Sequence, residues 1–264
     1  MDIAGFLDAL DVLAPADLAE DWDNVGLIVG RRTHVVRRVL VALDLRAEVL
    51  AEAHDTGADT VLVHHPPIFP SLAQVSDARV GSQLVLSAAE SRIAVVAAHT
   101  NLDCTRGGLN DQMAVLLGLI GSVPLDPSAV DAGVGLGRVG ACGAQRLADL
   151  VMRVSAVVAG PVTWVGDPSR QITRVACCTG SGGSLLERAL AVAADVYVTS
   201  DLKYHDADRA EGLGLICLPH GRIEAVTLAL WSPLLVAALE ESGVTVSVTE
   251  VETDPWRLAP APTL

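Results

Sequence analysis

The chain has 264 residues, enough for one large or two medium-sized domains with their own cores. It is 51% hydrophobic but only 3% aromatic, so its core must be built from Val, Leu and Ala. The formal net charge of -14 opposes binding to phosphate backbones and anionic membranes, and we expect neither nucleic acid nor membrane as a partner. The N-terminal segment is amphipathic and acidic, and the five cysteines lack CxxC spacing, which predicts a cytoplasmic protein with reduced thiols.

Helices and strands alternate along most of the chain. In chain order, the hydrophobic pattern predicts helix 2–13, strand 35–45, helix 46–56, strand 59–65, helix 82–91, strand 93–99 and helix 109–119, and then helix 145–158, strands 162–166 and 173–178, helix 184–193, strands 195–200 and 213–220, and helix 223–240. This alternation is typical of an α/β protein, in which helices pack on the faces of a sheet. The segment 121–138 is rich in Gly, Pro and Asp and predicts a domain boundary, with a first unit over 1–125 and a second over 126–264.

The two halves also resemble each other in sequence. When residue n is placed over residue n+136, "ADTVLVHHP" (58–66) overlies "ADVYVTSDL" (194–202), and with an offset of 121 "AAHTNLD" (97–103) overlies "LPHGRIE" (218–224). Few positions are identical and the offset changes, so a chance likeness is the alternative to an internal duplication. A duplication predicts two similar α/β/α units with a cleft between them, where strand ends meet and ligands bind.

The run "VLVHHPPIF" (61–69) ends a predicted strand in two adjacent histidines, and Pro66 and Pro67 forbid the strand to continue. Adjacent residues of an extended chain point to opposite faces. His64 and His65 are therefore suited to two metal ions side by side, or to one ligand on each side of the turn. The alternative is a structural pair, with one histidine hydrogen-bonded in the interior and the other in the loop.

Two further histidines follow predicted strands and precede an acid by four residues. The pairs His99 with Asp103 and His220 with Glu224 have the spacing that places both side chains on one face of a helical turn. Imidazoles suit zinc, iron or manganese, and a carboxylate can bridge two cations. Each pair alone is common by chance, but the four strand-end histidines and the two acids together favour a metal site.

Three other motifs have both a functional and a structural interpretation. In "SDLKYHD" (200–206), Lys203 could bind a phosphate or an oxyanion and His205 could act as a general acid or base, so both are candidate catalytic residues. The alternative for this motif is the capped start of a solvated helix. In "TGSGGS" (179–184) a tight strand-to-helix turn is favoured over an anion cradle, and "DWDNVG" (21–26) is interpreted as a turn.

Seven motifs occur in an order that is typical of one family. They are "WDNVGLIVG" (22–30), "VLVHHPPIF" (61–69), "AHTNLD" (98–103), "GGLND" (107–111), "TGSGGS" (179–184), "YVTSDLKYHDA" (197–207) and "HGRIE" (220–224). By these motifs the chain resembles the Nif-three-like dinuclear metal centre proteins, which are often labelled GTP cyclohydrolase 1 type 2 homologues. The likeness covers about residues 3–250.

The resemblance implies two intertwined α/β halves, a toroidal homohexamer, and two divalent transition-metal ions (zinc, iron or manganese) in the cleft. By motif position, the implied metal ligands are His64, His65, Asp103, His220 and Glu224. Glu224 is the implied bridge, and His99 is expected to orient a ligand without binding metal. The chain departs from the family at Ser200, where a glycine is usual, and at Gly221, where an aromatic is usual, which leaves open what that aromatic would have contacted.

Two functions of different classes fit these residues. The first is a metal-dependent hydrolase that acts on a small nucleotide-like or phosphorylated substrate, since two metal ions activate water and bind an oxyanion. Ring opening of GTP follows from the family label alone. The second is a non-catalytic metal-binding or regulatory ring that stores or delivers metal or docks a protein partner. An open coordination position beside Lys203 and His205 would favour the enzyme, and a closed shell or a narrow cleft would favour the second function.

Overall fold

The protein is an α/β structure with two sheets, as the sequence predicts, and the computed structural model describes residues 1–210 and 212–257. The strands are β1 Gly26–Val29, β2 Arg38–Ala42, β3 Thr60–Val63, β4 Ala94–Ala97, β5 Ile120–Pro127, β6 Gly135–Arg146, β7 Thr163–Val165, β8 Gln171–Ser181, β9 Val196–Ser200, β10 Gly214–Leu218 and β11 Thr245–Val248. The helices are α1 Ile3–Leu13, α2 Ala47–Thr56, α3 Val80–Glu90, α4 Thr100–Cys104, α5 Leu109–Leu116, α6 Leu147–Val157, α7 Leu186–Ala191, α8 Tyr204–Asp208 and α9 His220–Leu239, with 3-10 turns at Ala16–Leu18, Gly183–Leu185 and Glu240–Ser242. Each helix and strand predicted from the sequence is present, with ends that differ by at most three residues.

Local sequence explains where the helices begin and end. The side chain of Asp2 caps α1 by accepting a hydrogen bond from the Gly5 amide at 3.0 Å. The same helix buries Ile3, Phe6 and Leu10, which lie on one face at helical spacing. Helix α2 ends at Gly57, whose left-handed backbone (φ 70°) lets its amide bond back to the last turn.

Each sheet has a parallel centre, with one antiparallel edge in the first sheet and antiparallel strands at both edges of the second. The first sheet has the order β1-β4-β3-β2-β11, in which β1 alone is antiparallel to its neighbour. The second has the order β5-β6-β8-β9-β10-β7, with β8, β9 and β10 parallel. Both centres are strands linked through helices on the sheet faces, so the carboxyl ends of three successive strands lie together in each sheet.

The chain crosses between the sheets more than once. After the second sheet is complete, β11 returns to the first sheet and pairs with β2, with Thr245 opposite Arg38. The segment 121–138, in which the sequence predicts a domain boundary, forms most of β5 and the start of β6 instead of an open linker. Since β5 is an edge strand, its two prolines cost no hydrogen bond to a neighbour on the outer side. The halves are therefore intertwined, and a division at residue 125 stays a prediction.

Helix α9 is the central element between the sheets. Leu228, Trp231 and Leu235 pack with α1 and β2 in one apolar cluster, and Ile223 belongs to a second cluster under the other sheet. By length and composition this helix could cross a membrane, but its buried face makes it a core helix of the fold. Its first two turns carry the sequence "HGRIE" to the junction of the two sheets.

A buried arginine joins the helices after β4 to the second sheet. Arg138 on β6 is only 1% exposed, and its guanidinium donates to the carbonyls of Gly135 at 2.7 Å and Thr105 at 3.0 Å. It also forms a two-point ion pair with the carboxylate of Asp111 on α5. A buried guanidinium is costly without such a partner, so the segment that carries Asp103 depends on this pair for its position.

Replacing Asp111 should therefore destabilise the protein strongly. We expect Asp111→Ala to lower the free energy of unfolding by about 3 to 5 kcal/mol, because it leaves a buried positive charge without a partner. Urea unfolding followed by circular dichroism measures the change. The matched control is Asp149→Ala, which breaks the exposed pair with Arg146 and should leave the midpoint almost unchanged. Equal midpoints for the two variants would contradict this account.

Candidate metal centre

Six metal-binding side chains meet where the two sheets face each other. They are His64, His65, His99, Asp103, His220 and Glu224. The first three follow the carboxyl ends of β3 and β4, Asp103 lies on the short helix α4, and the last two lie on the first turns of α9. The structure thus brings together every metal ligand implied by the sequence.

Each of the four histidine rings is held through its Nδ1 atom by an oxygen. The pairs are His64 with the Ala98 carbonyl at 2.9 Å, His65 with Asp44 at 2.9 Å, His99 with Asp23 at 2.8 Å and His220 with Asp201 at 2.6 Å. Carbonyl and carboxylate oxygens only accept, so Nδ1 carries a proton in every ring. This arrangement leaves Nε2 as the nitrogen that can bind a metal, and it is the usual support of a metal-binding histidine.

The donor atoms form two overlapping groups. Those of His64, His65 and His99 lie within 4.8 Å of one another, and so do those of His65, His220 and Glu224. Glu224 faces both groups, since its Oε2 lies 3.0 Å from Nε2 of His65 and 2.9 Å from Nε2 of His220, while its Oε1 lies 3.8 Å from Nε2 of His64. The carboxylate thus has the position of a bridge. His99 belongs to the first group, although the family resemblance gives it no metal.

Two buried atoms in this cluster show that the donor set fits a cation. Nε2 of His64 and Oε2 of Glu224 are buried, and within residues 1–210 and 212–257 neither atom makes a hydrogen bond of acceptable geometry. This holds for Oε2 even though it lies close to two ring nitrogens. Burial lowers the pKa of His64 to about 3, so its Nε2 keeps a lone pair. A buried lone pair and a buried carboxylate oxygen are costly unless a cation binds them. Nitrogen and oxygen donors together suit a divalent transition metal.

Asp103 completes the buried side of the centre. Its Oδ2 lies 3.7 Å from Nε2 of His64, and its Oδ1 accepts a hydrogen bond from the Thr179 hydroxyl at 3.0 Å. Burial and the charge of Glu224 raise its pKa well above the usual value for an aspartate. The two acids therefore compete for positive charge, which a metal ion would supply.

Protons occupy part of this centre at neutral pH. Burial acts to lower the pKa of His65, but the carboxylates of Asp44 and Glu224 raise this pKa to about 10. In the same way, Glu224 and Asp201 raise the pKa of His220 to about 9 against the effect of burial. Burial also opposes ionisation of Glu224, but these two imidazoles hold its pKa well below the usual value. Glu224 is thus a carboxylate between two imidazolium rings until a metal displaces their protons.

Gly180 is a site residue that the sequence pattern did not single out. Its φ of 63° lies in the left-handed region, and a Cβ at this position would lie 2.5 Å from Oε1 of Glu224. Only glycine combines this backbone with so close an approach to the carboxylate. The motif "TGSGGS" therefore contains the predicted tight turn, and the turn also forms one wall of the metal centre.

A cleft of about 430 Å³ opens from the metal centre between the sheets. Its walls include His65, His99 and Glu224 on the metal side, Trp22 at the mouth and the loop 178–185 opposite. The candidate catalytic residues Lys203 and His205 do not line this cleft. Both are exposed at the start of α8, where the Lys203 amide donates to Asp206 at 2.9 Å, as expected for a capped helix start. Their catalytic role stays a prediction.

Asp23 and Asp44, whose carboxylates hold histidine rings, were not predicted because they lie far from those histidines in the sequence. Asp23 is 76 residues from His99, and Asp44 is 21 residues from His65. "DWDNVG" is a turn, as predicted, but Asp23 within it also accepts hydrogen bonds from the amide and hydroxyl of Thr100. The role of Asp44 could have been detected from its position in the chain, because it follows β2 at the same sheet edge as the predicted ligands.

The C-terminal segment explains the glycine next to the last histidine. A Cβ at Gly221 would lie 3.3 Å from the side chain of Asp254, which is buried. An aromatic side chain at this position would require the segment around Asp254 to shift.

The chain resembles known proteins along nearly its whole length. The family model Duf34/NIF3 (NGG1p interacting factor 3) matches residues 1–255. A Lactococcus lactis protein named "GTP cyclohydrolase 1 type 2 homolog" is 34% identical over 97% of this chain and 99% of its own length, and a Drosophila melanogaster "NIF3-like protein 1" is 30% identical over 96% and 88%. The crystal structure of Staphylococcus aureus protein SA1388 superposes with a TM-score of 0.93 at 28% identity and covers 98% of this chain and 99% of that one.

Replacing Gly180 should remove metal without unfolding the protein. We expect Gly180→Ala to push the Glu224 carboxylate aside and to reduce bound metal at least tenfold, as measured by elemental analysis after dialysis. The control is Gly57→Ala, since Gly57 also has a positive φ (70°) but no atom within 4 Å of an added Cβ. Both variants carry backbone strain of about 1 kcal/mol, but only Gly57→Ala should keep its metal. A wild-type metal content in Gly180→Ala would contradict the conclusion that Gly180 forms a wall of the metal centre.

Metal affinity should rise with pH. Since the raised pKa values keep His65 and His220 protonated below about pH 9, a cation must displace about two protons, and its affinity should increase from pH 6 to pH 9. Competition with a chelator of known protonation behaviour measures the affinity at each pH. Calorimetry in two buffers of different ionisation enthalpy counts the released protons. An affinity that does not change over this range would show that neither imidazole binds the metal.

Proposed function

The chain belongs to the Duf34/NIF3 family, and on this premise we propose that it is a dinuclear metal-dependent hydrolase that acts on a small nucleotide-like or phosphorylated substrate. The observation that supports the proposal is the convergence of imidazole Nε2 atoms from both halves of the chain on the single carboxylate of Glu224. Such a donor set holds divalent transition-metal ions, and zinc, iron and manganese all suit it.

The distances from Glu224 and Asp103 to the histidine rings suggest how a pair of ions would be shared. His64 and Asp103 would hold one ion, His65 and His220 would hold the other, and Glu224 would lie between them. When bound, two such ions lower the pKa of a water molecule toward neutrality and polarise a substrate oxygen, which is the chemistry that hydrolysis requires.

The protein's own residues prepare the centre for this chemistry. Asp44 and Asp201 fix the Nδ1 proton of His65 and His220 and thereby aim each Nε2 at Glu224. Glu224 is only 3% exposed, so little water competes with its interactions and its charge acts over a low local dielectric. The Thr179 hydroxyl holds Asp103 from the side opposite His64. These contacts keep the ligands in place before any substrate arrives.

The size of the cleft favours the hydrolase over a metal-storage or regulatory ring, although the cleft does not lie beside Lys203 and His205, which the sequence-based criterion for the enzyme requires. Its volume of about 430 Å³ is within the range of small-molecule sites, roughly 300 to 1,000 Å³. A storage site has no need for such a space beside its ligands. A homohexamer, which rests on the family resemblance, and a cytoplasmic location, which rests on the acidic N-terminal segment and the cysteine pattern, belong to the same proposal.

Removing two ligands should abolish metal binding and leave the fold intact. We expect the double variant His65→Ala with Glu224→Ala to contain less than about a tenth of the wild-type metal, because it removes the bridge and a ligand from both donor groups. Elemental analysis measures the metal, and circular dichroism checks the fold. The control is His54→Ala, since His54 is an exposed histidine on α2. Stoichiometric metal in the double variant would overturn the site assignment.

A screen of the metal-reconstituted protein against nucleosides, nucleotides and phosphoesters tests the hydrolase directly. Turnover should disappear in the same double variant and persist in His54→Ala. Turnover that survives in the double variant would come from a contaminant, and no turnover by a fully metallated wild-type protein on any of these classes would favour the storage or regulatory function.

A further inference from the structure

An exposed aromatic residue, Trp22, lines the metal cleft, and Phe69 packs against it from outside the cleft lining. Trp22 and Phe69 are each 54% exposed, and their ring centroids lie 5.5 Å apart. The chain contains only four Trp, two Tyr and two Phe, so a quarter of its aromatic residues are at this one place. Exposed aromatic surface of this kind is unfavourable in water and commonly marks a binding surface.

The pair lies beside the metal ligands. Trp22 lines the cleft and contacts His99 edge-on, with ring centroids 6.0 Å apart. His99 is in turn 5.1 Å from the ring of His64 and 5.7 Å from that of His65. A flat ring stacked on Trp22 would therefore lie next to the cluster of imidazoles, with its substituents directed at the metal centre.

The charges of the cleft oppose a polyphosphate. Glu20 and Asp126 line it in addition to the two acidic metal ligands, and among its described lining residues there is neither Lys nor Arg. The guanidinium of Arg188, which approaches Asp126 to 3.0 Å, is paired with that carboxylate. A chain whose formal net charge is -14 adds no compensating positive field. Any negative charge on a substrate would have to be balanced by the metal ions alone.

We infer that the cleft binds an uncharged heteroaromatic ring of nucleoside size, which stacks on Trp22, in preference to a nucleoside triphosphate. The inference rests on the proposed function and names its substrate class. Stacking of a base on an aromatic side chain contributes about 1 to 3 kcal/mol, which corresponds to roughly 5- to 150-fold in affinity. The carboxylates of Glu20 and Asp126 are suited to accept hydrogen bonds from ring N–H groups. The name of the bacterial relatives mentions GTP. Of such a molecule, the cleft would bind the ring and not the phosphates.

Titration of the metal-loaded protein with inosine and with inosine 5′-triphosphate tests this inference. Inosine should quench tryptophan emission, and it should bind at least tenfold more tightly than the triphosphate at low salt. Trp22→Ala should weaken inosine binding at least tenfold, and Trp22→Phe should keep most of the affinity but lose the quenching. The control is Trp256→Ala, since Trp256 is 77% exposed and does not line the cleft. All three variants should retain their metal.

Equal or tighter binding of the triphosphate, or unchanged inosine binding in Trp22→Ala, would overturn the inference and leave the proposed function standing, provided that metal is bound at stoichiometry. A wild-type protein that binds no metal would instead refute the proposed function, and this inference with it.

Discussion

The carboxylate of Glu224 lies between imidazoles from both halves of the chain, and the rest of the centre depends on that contact. A buried carboxylate is costly unless positive charge surrounds it, so His65 and His220 must lie within about 3 Å. Their rings can do so only because Asp44 and Asp201 hold the opposite nitrogen. Gly180 has to be a glycine because Glu224 leaves no room for a side chain. The burial of α9 between the sheets fixes the carboxylate itself.

These contacts do not account for the folding stability of the protein. The centre gathers two buried acids, a buried neutral histidine and two imidazolium rings, and a packed apolar cluster of similar volume would cost less to fold. The arrangement is understandable if its purpose is to bind cations. The stability lies elsewhere, in the Val-, Leu- and Ala-rich clusters on both faces of the two sheets. This division lets the centre be organised for chemistry while the core maintains the fold.

Much of the fold and of the candidate metal centre could be predicted from the sequence. The features that were not predicted have a common physical cause. The apolar run that ends at His64 and His65, the H-x-x-x-acid pairs and the alternation of helices and strands are local patterns, and local patterns survive folding. Asp23, Asp44 and Gly180 act through contacts between distant segments, which no spacing rule reveals. The strands β1, β5, β6 and β11 were also not predicted. β1, β5 and β11 are edge strands, which are only partly buried and lack a strong hydrophobic pattern, and β6 begins in the segment 121–138 that was interpreted as a domain boundary. Lys203 and His205 illustrate a different case, since they are exposed and do not line the cleft, and their catalytic role stays a prediction.

The return of β11 to the first sheet also affects how the protein is made. A ribosome delivers the chain from its N-terminus, so β2 has an open edge until residues 245–248 have been synthesised. Helix α9, with His220 and Glu224, is also synthesised late. The nascent chain therefore offers His64 and His65 without their bridging acid for most of translation. The full set of candidate ligands is therefore present only after α9 has been synthesised, and a chain that terminates before α9 lacks both β11 and the ligands His220 and Glu224.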